Sequence, residues 1–393
     1  MVQNLTMRNQ SERYQISEVQ QDSRKLVLNW ADGHQSRFHY IWLRDNCYCS
    51  ECGDPRHGEK HFHVINVPED IKPLSVDWDN DQGLKIIWSP DGHRSVYEPQ
   101  WLRLHCYSTT ERENRLHTPI LWDREIATNL PLLAYEEVKS GDIGKLQMLE
   151  SLRDYGICFL KNVPPRLGEL ESVAQLLGPI VESNYGRVFD IVITPEESRT
   201  SVANSGRRLM PHTDDAYQDA PPGIIFFHCL IASNDGSGQS IFVDGFELLQ
   251  RLRQEDPEGF KLLSKYELCF RKRYDARIDM QTCEPIIHLD SRGNLKRVRI
   301  SNLFAAPLDM PEEVIEPFYA AYRKLMRLYA DNRYWLQLQL QPGELVVFDN
   351  YRILHGRTEI EMTNQCRHLR HCCVDRDYLH SQLRLLTHRL ERT

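Results

Sequence analysis

The apolar positions of the chain fall into two textures. Up to about residue 110 they alternate with polar ones in short runs: Leu26-Val-Leu-Asn-Trp30, Ser36-Arg-Phe-His-Tyr-Ile-Trp42 and Leu84-Lys-Ile-Ile-Trp88. Alternation with a period of two predicts half-buried strands, and Ala31-Asp-Gly33, Asn80-Asp-Gln-Gly83 and Pro90-Asp-Gly92 predict their turns. Beyond residue 131 the runs lengthen. Tyr135 opens a helical stretch with Leu146, Leu149 and Leu152 on one face, Ile157–Lys161 reads as a strand, and a second helix ends near Gly178. Ile224–Ile231, Ser240–Val243, the hairpin-like Ile286–Ile300 and Glu344–Phe348 predict further strands. One helical insertion, Pro311 to Tyr329, carries proline at its start and Glu312 and Glu313 in its first turn. The pattern is mainly β with helical insertions, and it predicts an antiparallel barrel or jelly roll. The expected division is a β domain at 1–110, a polar linker at 111–130 and a barrel at 131–393.

Composition narrows the function classes. With 393 residues, 41% of them hydrophobic, the chain can build a sizeable core, and disordered or collagen-like classes are excluded. No apolar run reaches the length of a transmembrane helix. A net charge of −8 argues against nucleic acid as a partner. The 11 cysteines are an odd number, and Met-Val-Gln-Asn-Leu-Thr-Met-Arg at the start lacks the apolar stretch of a secretory signal. Thiols that are free or on metal, in a reducing compartment, are therefore expected, with the cytoplasm as the location.

The sharpest chemical signal is His212-Thr-Asp214 together with a distant His355. Two imidazoles and one carboxylate on one face of an ion leave positions open, the facial set of non-haem Fe(II) oxygenases. In an extended strand, residues 212 and 214 point the same way, and His355 arrives from another strand. With 16 histidines, about two His-x-acid pairs arise by chance; His57-Gly-Glu59 and His288-Leu-Asp290 are such cases, Asp290 serving a turn. Arg367 strengthens the reading, because a 2-oxo acid co-substrate needs a fixed guanidinium for its far carboxylate. Arg370 and Arg376 read as surface residues.

A second cluster is Cys47-Tyr-Cys49-Ser-Glu-Cys52. Three thiolates wrap three corners of a tetrahedral Zn2+, and His57, His61, His63 and His93 are all candidates for the fourth. A fully protein-liganded zinc has no open position and is structural; the plainer alternative is buried small cysteines.

Trp42-Leu-Arg-Asp-Asn-Cys-Tyr-Cys-Ser-Glu-Cys52, Phe227-His-Cys-Leu230, Phe242-Val-Asp-Gly-Phe246 and Phe348-Asp-Asn-Tyr-Arg-Ile-Leu-His-Gly-Arg357 together resemble the γ-butyrobetaine dioxygenase family. That family includes trimethyllysine and trimethylaminoethylphosphonate dioxygenases, and the similarity spans nearly the whole chain. It implies a zinc-binding N-terminal β domain followed by a double-stranded β-helix. The implied reaction hydroxylates an unactivated C–H bond while 2-oxoglutarate is split to succinate and CO2. The resemblance implies iron on His212, Asp214 and His355, 2-oxoglutarate on Arg367 with Ser240 near its other end, and zinc on Cys47, Cys49, Cys52 and His93. It also implies O2, ascorbate as a candidate reductant, a homodimer, and a γ-butyrobetaine hydroxylase-like role of the carnitine-biosynthesis kind.

The substrate pocket departs from the family pattern. Tyr185 matches one position of an aromatic cage for trimethylammonium, and Phe189 replaces a tryptophan. The next cage tyrosines fall at Asn204 and Cys373, and Ser201 stands where an asparagine binds the substrate carboxylate. Each ring contributes about 0.5–2 kcal/mol, so losing two costs roughly tenfold to a thousandfold in affinity. Either Tyr217, Phe189 and other rings rebuild the cage, or the substrate differs. Arg207 and Arg208 suggest a small zwitterionic or anionic substrate, against a plainer reading as solvated loop residues. The leading expectation is an Fe(II)/2-oxoglutarate dioxygenase acting on a quaternary ammonium compound or related zwitterion. Its rivals are a relative with shifted specificity, for trimethyllysine, trimethylaminoethylphosphonate or a substrate without trimethylammonium, and a catalytically silent metal-binding interaction module.

Overall fold

A computed structural model of the chain describes residues 13–54, 56–193, 201–274, 278–360 and 367–390. Two units separate between His117 and Thr118. In the first, strands Ile16–Gln21, Lys25–Trp30 and Gln35–His39 form one antiparallel sheet, and Lys72–Asp79, Gly83–Ser89 and Arg94–Tyr97 form another. Alternate residues Leu26, Leu28 and Trp30, and Leu84, Ile86 and Trp88, make a common core, as the period of two requires. The strand expected to run to Trp42 stops at His39, and Tyr40–Asp45 is a short helix. Tyr40 and Leu43 lie on one side of it and are buried, so a helical spacing of three wins over alternation there. This helix delivers the chain into the cysteine cluster. The stretch 111–130 carries the end of helix Thr109–Asn114, capped by Ser108, and the 3-10 turn Arg124–Thr128, capped by Asp123.

The second unit is a two-sheet jelly roll. The larger sheet has the order Phe189–Val192, His368–Val374, Ile224–Ile231, Leu345–Asp349, Ile157–Lys161, Leu132–Ala134. The smaller has the order Leu209–His212, Ile353–Arg357, Ser240–Asp244, Leu336–Leu338. Phe159, Ile225, Phe227, Val346 and Phe348 from the first meet Phe242, Leu336 and Ile353 from the second. The opposite face of the larger sheet (Cys158, Leu160, Ile224, Phe226, Val347) packs on helices Asp142–Tyr155, Glu169–Leu177 and Arg376–Leu390. Both faces are thus covered, which is why these strands read as unbroken apolar runs.

Three helices, not one, cover the smaller sheet: Gly245–Glu255, Pro257–Lys265 and Glu312–Ala330. Asp244 and Asp256 cap the first two through the N–H groups of Phe246 and Gly259, and Leu248, Leu249, Leu252, Phe260, Phe318 and Leu325 pack on Ile241, Val243 and Leu354. A hairpin, Glu267–Tyr274 with Ile278–Pro285, forms a two-stranded sheet of its own. Cys269 and Cys283 are partners in its register and form a disulfide, so the expectation of thiols only free or on metal fails at this pair. No helix among the described residues is long and apolar enough to cross a membrane.

Candidate active site and metal centres

Strand Leu209–His212 runs antiparallel to Ile353–Arg357, with His212 opposite His355. Gly356 permits this approach, since a Cβ there would lie 2.5 Å from the Leu209 carbonyl oxygen. The strand ends at His212, so Asp214 reaches the pair through the following turn and not by strand alternation. Asn350 shapes that turn: its Oδ1 accepts the Asp214 N–H at 2.8 Å, and its Nδ2 donates to the carbonyls of Asp214 and Pro222 at 3.2 and 3.0 Å. His212 Nδ1 pairs with the Met210 carbonyl at 2.9 Å, which fixes the proton on that nitrogen and turns Nε2 toward Asp214. The Nε2 atoms of His212 and His355 lie 3.5 and 3.6 Å from Asp214 Oδ1.

The three donor atoms lie within 4.8 Å of one another. Burial opposes the charge on Asp214, but His355 and His212 more than reverse it and hold the carboxyl below its ordinary value. Burial drives His355 down to about 3, keeping its imidazole neutral. A neutral imidazole beside a carboxylate is what a divalent cation needs. This donor set fits ferrous iron.

A cavity of about 180 Å³ opens on the three donors. Arg367 lines it, is 8% exposed and has no ion-pair partner among the described residues. Burial lowers it to about 10, so it remains a guanidinium at neutral pH. A buried cation without a carboxylate fits an anionic co-substrate. Ser240, Tyr185, Phe189, Ser201 and Cys373 line the same cavity.

Other residues depart from their expected places. Asn204 is absent from the cavity wall; its amide donates to the carbonyls of Asp190 and Val192 at 3.1 and 2.9 Å, bracing the edge strand. Tyr217 borders the neighbouring cleft, its hydroxyl donating to Asp215 at 2.6 Å. Arg207 and Arg208 are exposed and line no part of the cavity, so the anionic tail expected from them loses its support. Arg370 is not a surface residue: it is buried and bound to Glu171 at 3.0 Å. Arg376 is partly buried on Asp349.

In the first unit, His93 Nε2 lies 3.4, 3.6 and 3.4 Å from the sulfurs of Cys47, Cys49 and Cys52. Zinc bonds of about 2.3 Å to sulfur and 2.0–2.1 Å to nitrogen, at tetrahedral angles, separate N and S by roughly 3.5 Å. The spacing therefore fits a four-coordinate zinc closed to other ligands. Burial pushes the Cys52 thiol up to about 12, against the opposing pull of Arg44, which donates to its sulfur at 3.3 Å. His57, His61 and His63 are outside the cluster.

Residues 123–373 match the family described as taurine catabolism dioxygenase TauD, TfdA family. The chain belongs to that dioxygenase family. Residues 17–103 of the dioxygenase match the γ-butyrobetaine hydroxylase-like N-terminal family. It is 36% identical to a γ-butyrobetaine dioxygenase of Pseudomonas sp. (strain AK-1), over 92% of this chain and 93% of that one. It is 30% identical to a trimethyllysine dioxygenase of Meyerozyma guilliermondii, over 95% and 96% of the two chains. An asparagine oxygenase structure aligns with 18% identity and a TM-score of 0.47, covering 60% of this chain and 80% of that one. The protein is a 2-oxoglutarate-dependent dioxygenase.

Three residues that line the cavity escaped the sequence reading. His371 lines the cavity, its Nε2 3.9 Å from Asp214 Oδ2. Arg367, Leu369, His371 and Cys373 all line it, and their period of two was the available signal. Arg357 holds the carbonyls of Ala203, Ser205 and Arg207 at 2.8, 2.5 and 2.7 Å, fixing the loop that carries Ser201. Lys272 is buried in the cavity wall; it follows Leu268 and Phe270 at alternate positions of its strand, a pattern its charge conceals.

Proposed function

We propose that the protein hydroxylates an unactivated C–H bond of a small substrate, with His212, Asp214 and His355 holding Fe(II) and Arg367 holding 2-oxoglutarate. The observation that carries this reading is the buried Arg367, which has no ion-pair partner among the described residues and lines the same cavity as the three grouped donors. Bound iron supplies activation of O2 coupled to decarboxylation of the 2-oxo acid to succinate and CO2. Arg367 clamps the far carboxylate in a bidentate fork, and Ser240 offers a hydroxyl to the same co-substrate. Phe227, whose ring centre lies 5.3 Å from that of His355, and Phe348 at 5.1 Å keep water from the donors. Asn350 keeps the Asp214 turn in one geometry. In the first unit, Cys47, Cys49, Cys52 and His93 hold a structural zinc. Outside that zinc set and the Cys269–Cys283 disulfide, five cysteines among the described residues are free thiols, which suits a reducing compartment, the cytoplasm.

Anaerobic calorimetry with Fe(II) and 2-oxoglutarate, followed by succinate assay on admitting O2, tests the reading. Wild type is expected to bind 2-oxoglutarate only with Fe(II) present and to form succinate; Arg367→Met is expected to lose at least about tenfold in 2-oxoglutarate affinity. Iron-independent binding, or an unaffected Arg367→Met, would count against it.

A further inference from the structure

We infer that Lys272 sets substrate choice: the cavity takes a small aliphatic molecule whose oxyanion meets the Lys272 ammonium, and refuses a trimethylammonium head at that wall. The inference rests on the dioxygenase reading and names the substrate class of the same cavity.

Lys272 is 8% exposed. Its Nζ lies 4.2 Å from the ring centre of Tyr185, 5.3 Å from that of Tyr217 and 5.9 Å from that of Phe304. It donates to the hydroxyl of Tyr185 and, at 3.3 Å, to that of Tyr217. A quaternary ammonium has no N–H, so aromatic faces and desolvation are its whole hold. Here those faces already surround a cation, and a second cation beside it is repelled in a low-dielectric pocket.

An ammonium has three donors, and only two of these find partners among the described residues. The third sits on a side chain of the cavity wall and calls for an acceptor from the ligand. The other charged side chains that line the cavity among the described residues are committed. Asp214 faces the two histidines. Asp215 accepts from Tyr217 at 2.6 Å and Gln218 at 3.1 Å, tempering the ammonium through Tyr217 without taking its third donor. Arg357 is spent on backbone carbonyls, and Arg367 belongs to the co-substrate. Phe189, Leu303 and Phe304 supply an apolar wall for the aliphatic remainder.

Three probes decide it: γ-butyrobetaine, its isostere with an uncharged head, 5,5-dimethylhexanoate, and the primary amide of that acid. Each is titrated calorimetrically into anaerobic enzyme loaded with Fe(II) and 2-oxoglutarate. The carboxylate is expected to bind about tenfold or more tighter than either of the others, the scale of one charge-assisted hydrogen bond. Lys272→Met is expected to erase the preference for carboxylate over amide, and Lys272→Arg to keep it. If Lys272→Met does not fold, judged by its melting curve, Lys272→Gln takes its place with the same expectation. Tighter binding of γ-butyrobetaine, no binding of the carboxylate to wild type, or an unchanged carboxylate-to-amide ratio without the lysine's charge would overturn the inference. Repeating the titrations without iron separates the two readings. A failure of the dioxygenase reading shows as lost 2-oxoglutarate binding or absent succinate, with the carboxylate preference intact.

Discussion

Asp244 is fully buried, and Arg352 answers it with two hydrogen bonds of 3.0 and 2.7 Å. Two further N–H groups of Arg352 donate to the carbonyls of Asp154 and Ile120 at 2.7 and 2.5 Å, so one guanidinium ties four segments of the chain. Removing one partner of a buried pair strands the other charge, at a cost of about 3–5 kcal/mol. Arg352→Met is expected to lower the melting temperature by on the order of 10 °C, measured by calorimetry, although position 352 touches no proposed ligand. Asn350 acts more locally. Asn350→Ala frees the turn that presents Asp214 and is expected to weaken Fe(II) affinity by about 10–100-fold, read by anaerobic metal titration. Retained affinity would mean the turn holds its shape unaided.

Among the elements, the hairpin Ile287–Leu289 with Leu295–Val298 carries a pH-sensitive group. Burial, then the charges of Arg297 and Arg299, push His288 down to about 4. The unfolded chain binds this proton near pH 6.5 and the folded one resists it, so stability falls as pH drops from about 6.5 to 4, by up to about 1.4 kcal/mol per unit. His288→Gln is expected to flatten that slope in denaturant titrations across this range, and an unchanged slope would assign it to other groups. The elements also show what is legible in a sequence. Ile224–Ile231 and Leu345–Asp349 were readable because both faces are covered, giving continuous apolar runs. Helices Gly245–Glu255 and Pro257–Lys265 were not, because each is short and their shared apolar face exists only once they fold onto the smaller sheet. His212 and His355 were legible as chemistry, whereas the turn that brings Asp214 between them is built by Asn350 from far along the chain. Lys272 was hidden because a lysine at an inward position breaks the alternation that marks a strand.

For the molecule as a whole, the chain divides into two compact units between His117 and Thr118. If the first holds zinc, as proposed, its metal binding is folding free energy for that unit. The expected result is one zinc per chain by elemental analysis, and a chelator that lowers the melting of the 1–117 unit while leaving that of the 118–393 unit in place. Cys49→Ser is expected to lose the zinc; full zinc content in that variant would remove Cys49 from the set. Within the larger unit, the proposed iron donors stand on or beside the strands of the smaller sheet, whereas Lys272 stands on a hairpin that pairs with neither large sheet. Oxidative power and molecular taste are therefore inherited on separate pieces of polypeptide. A lineage built on this scaffold can retool what it consumes by altering one ribbon, and leave the machinery that attacks the C–H bond untouched.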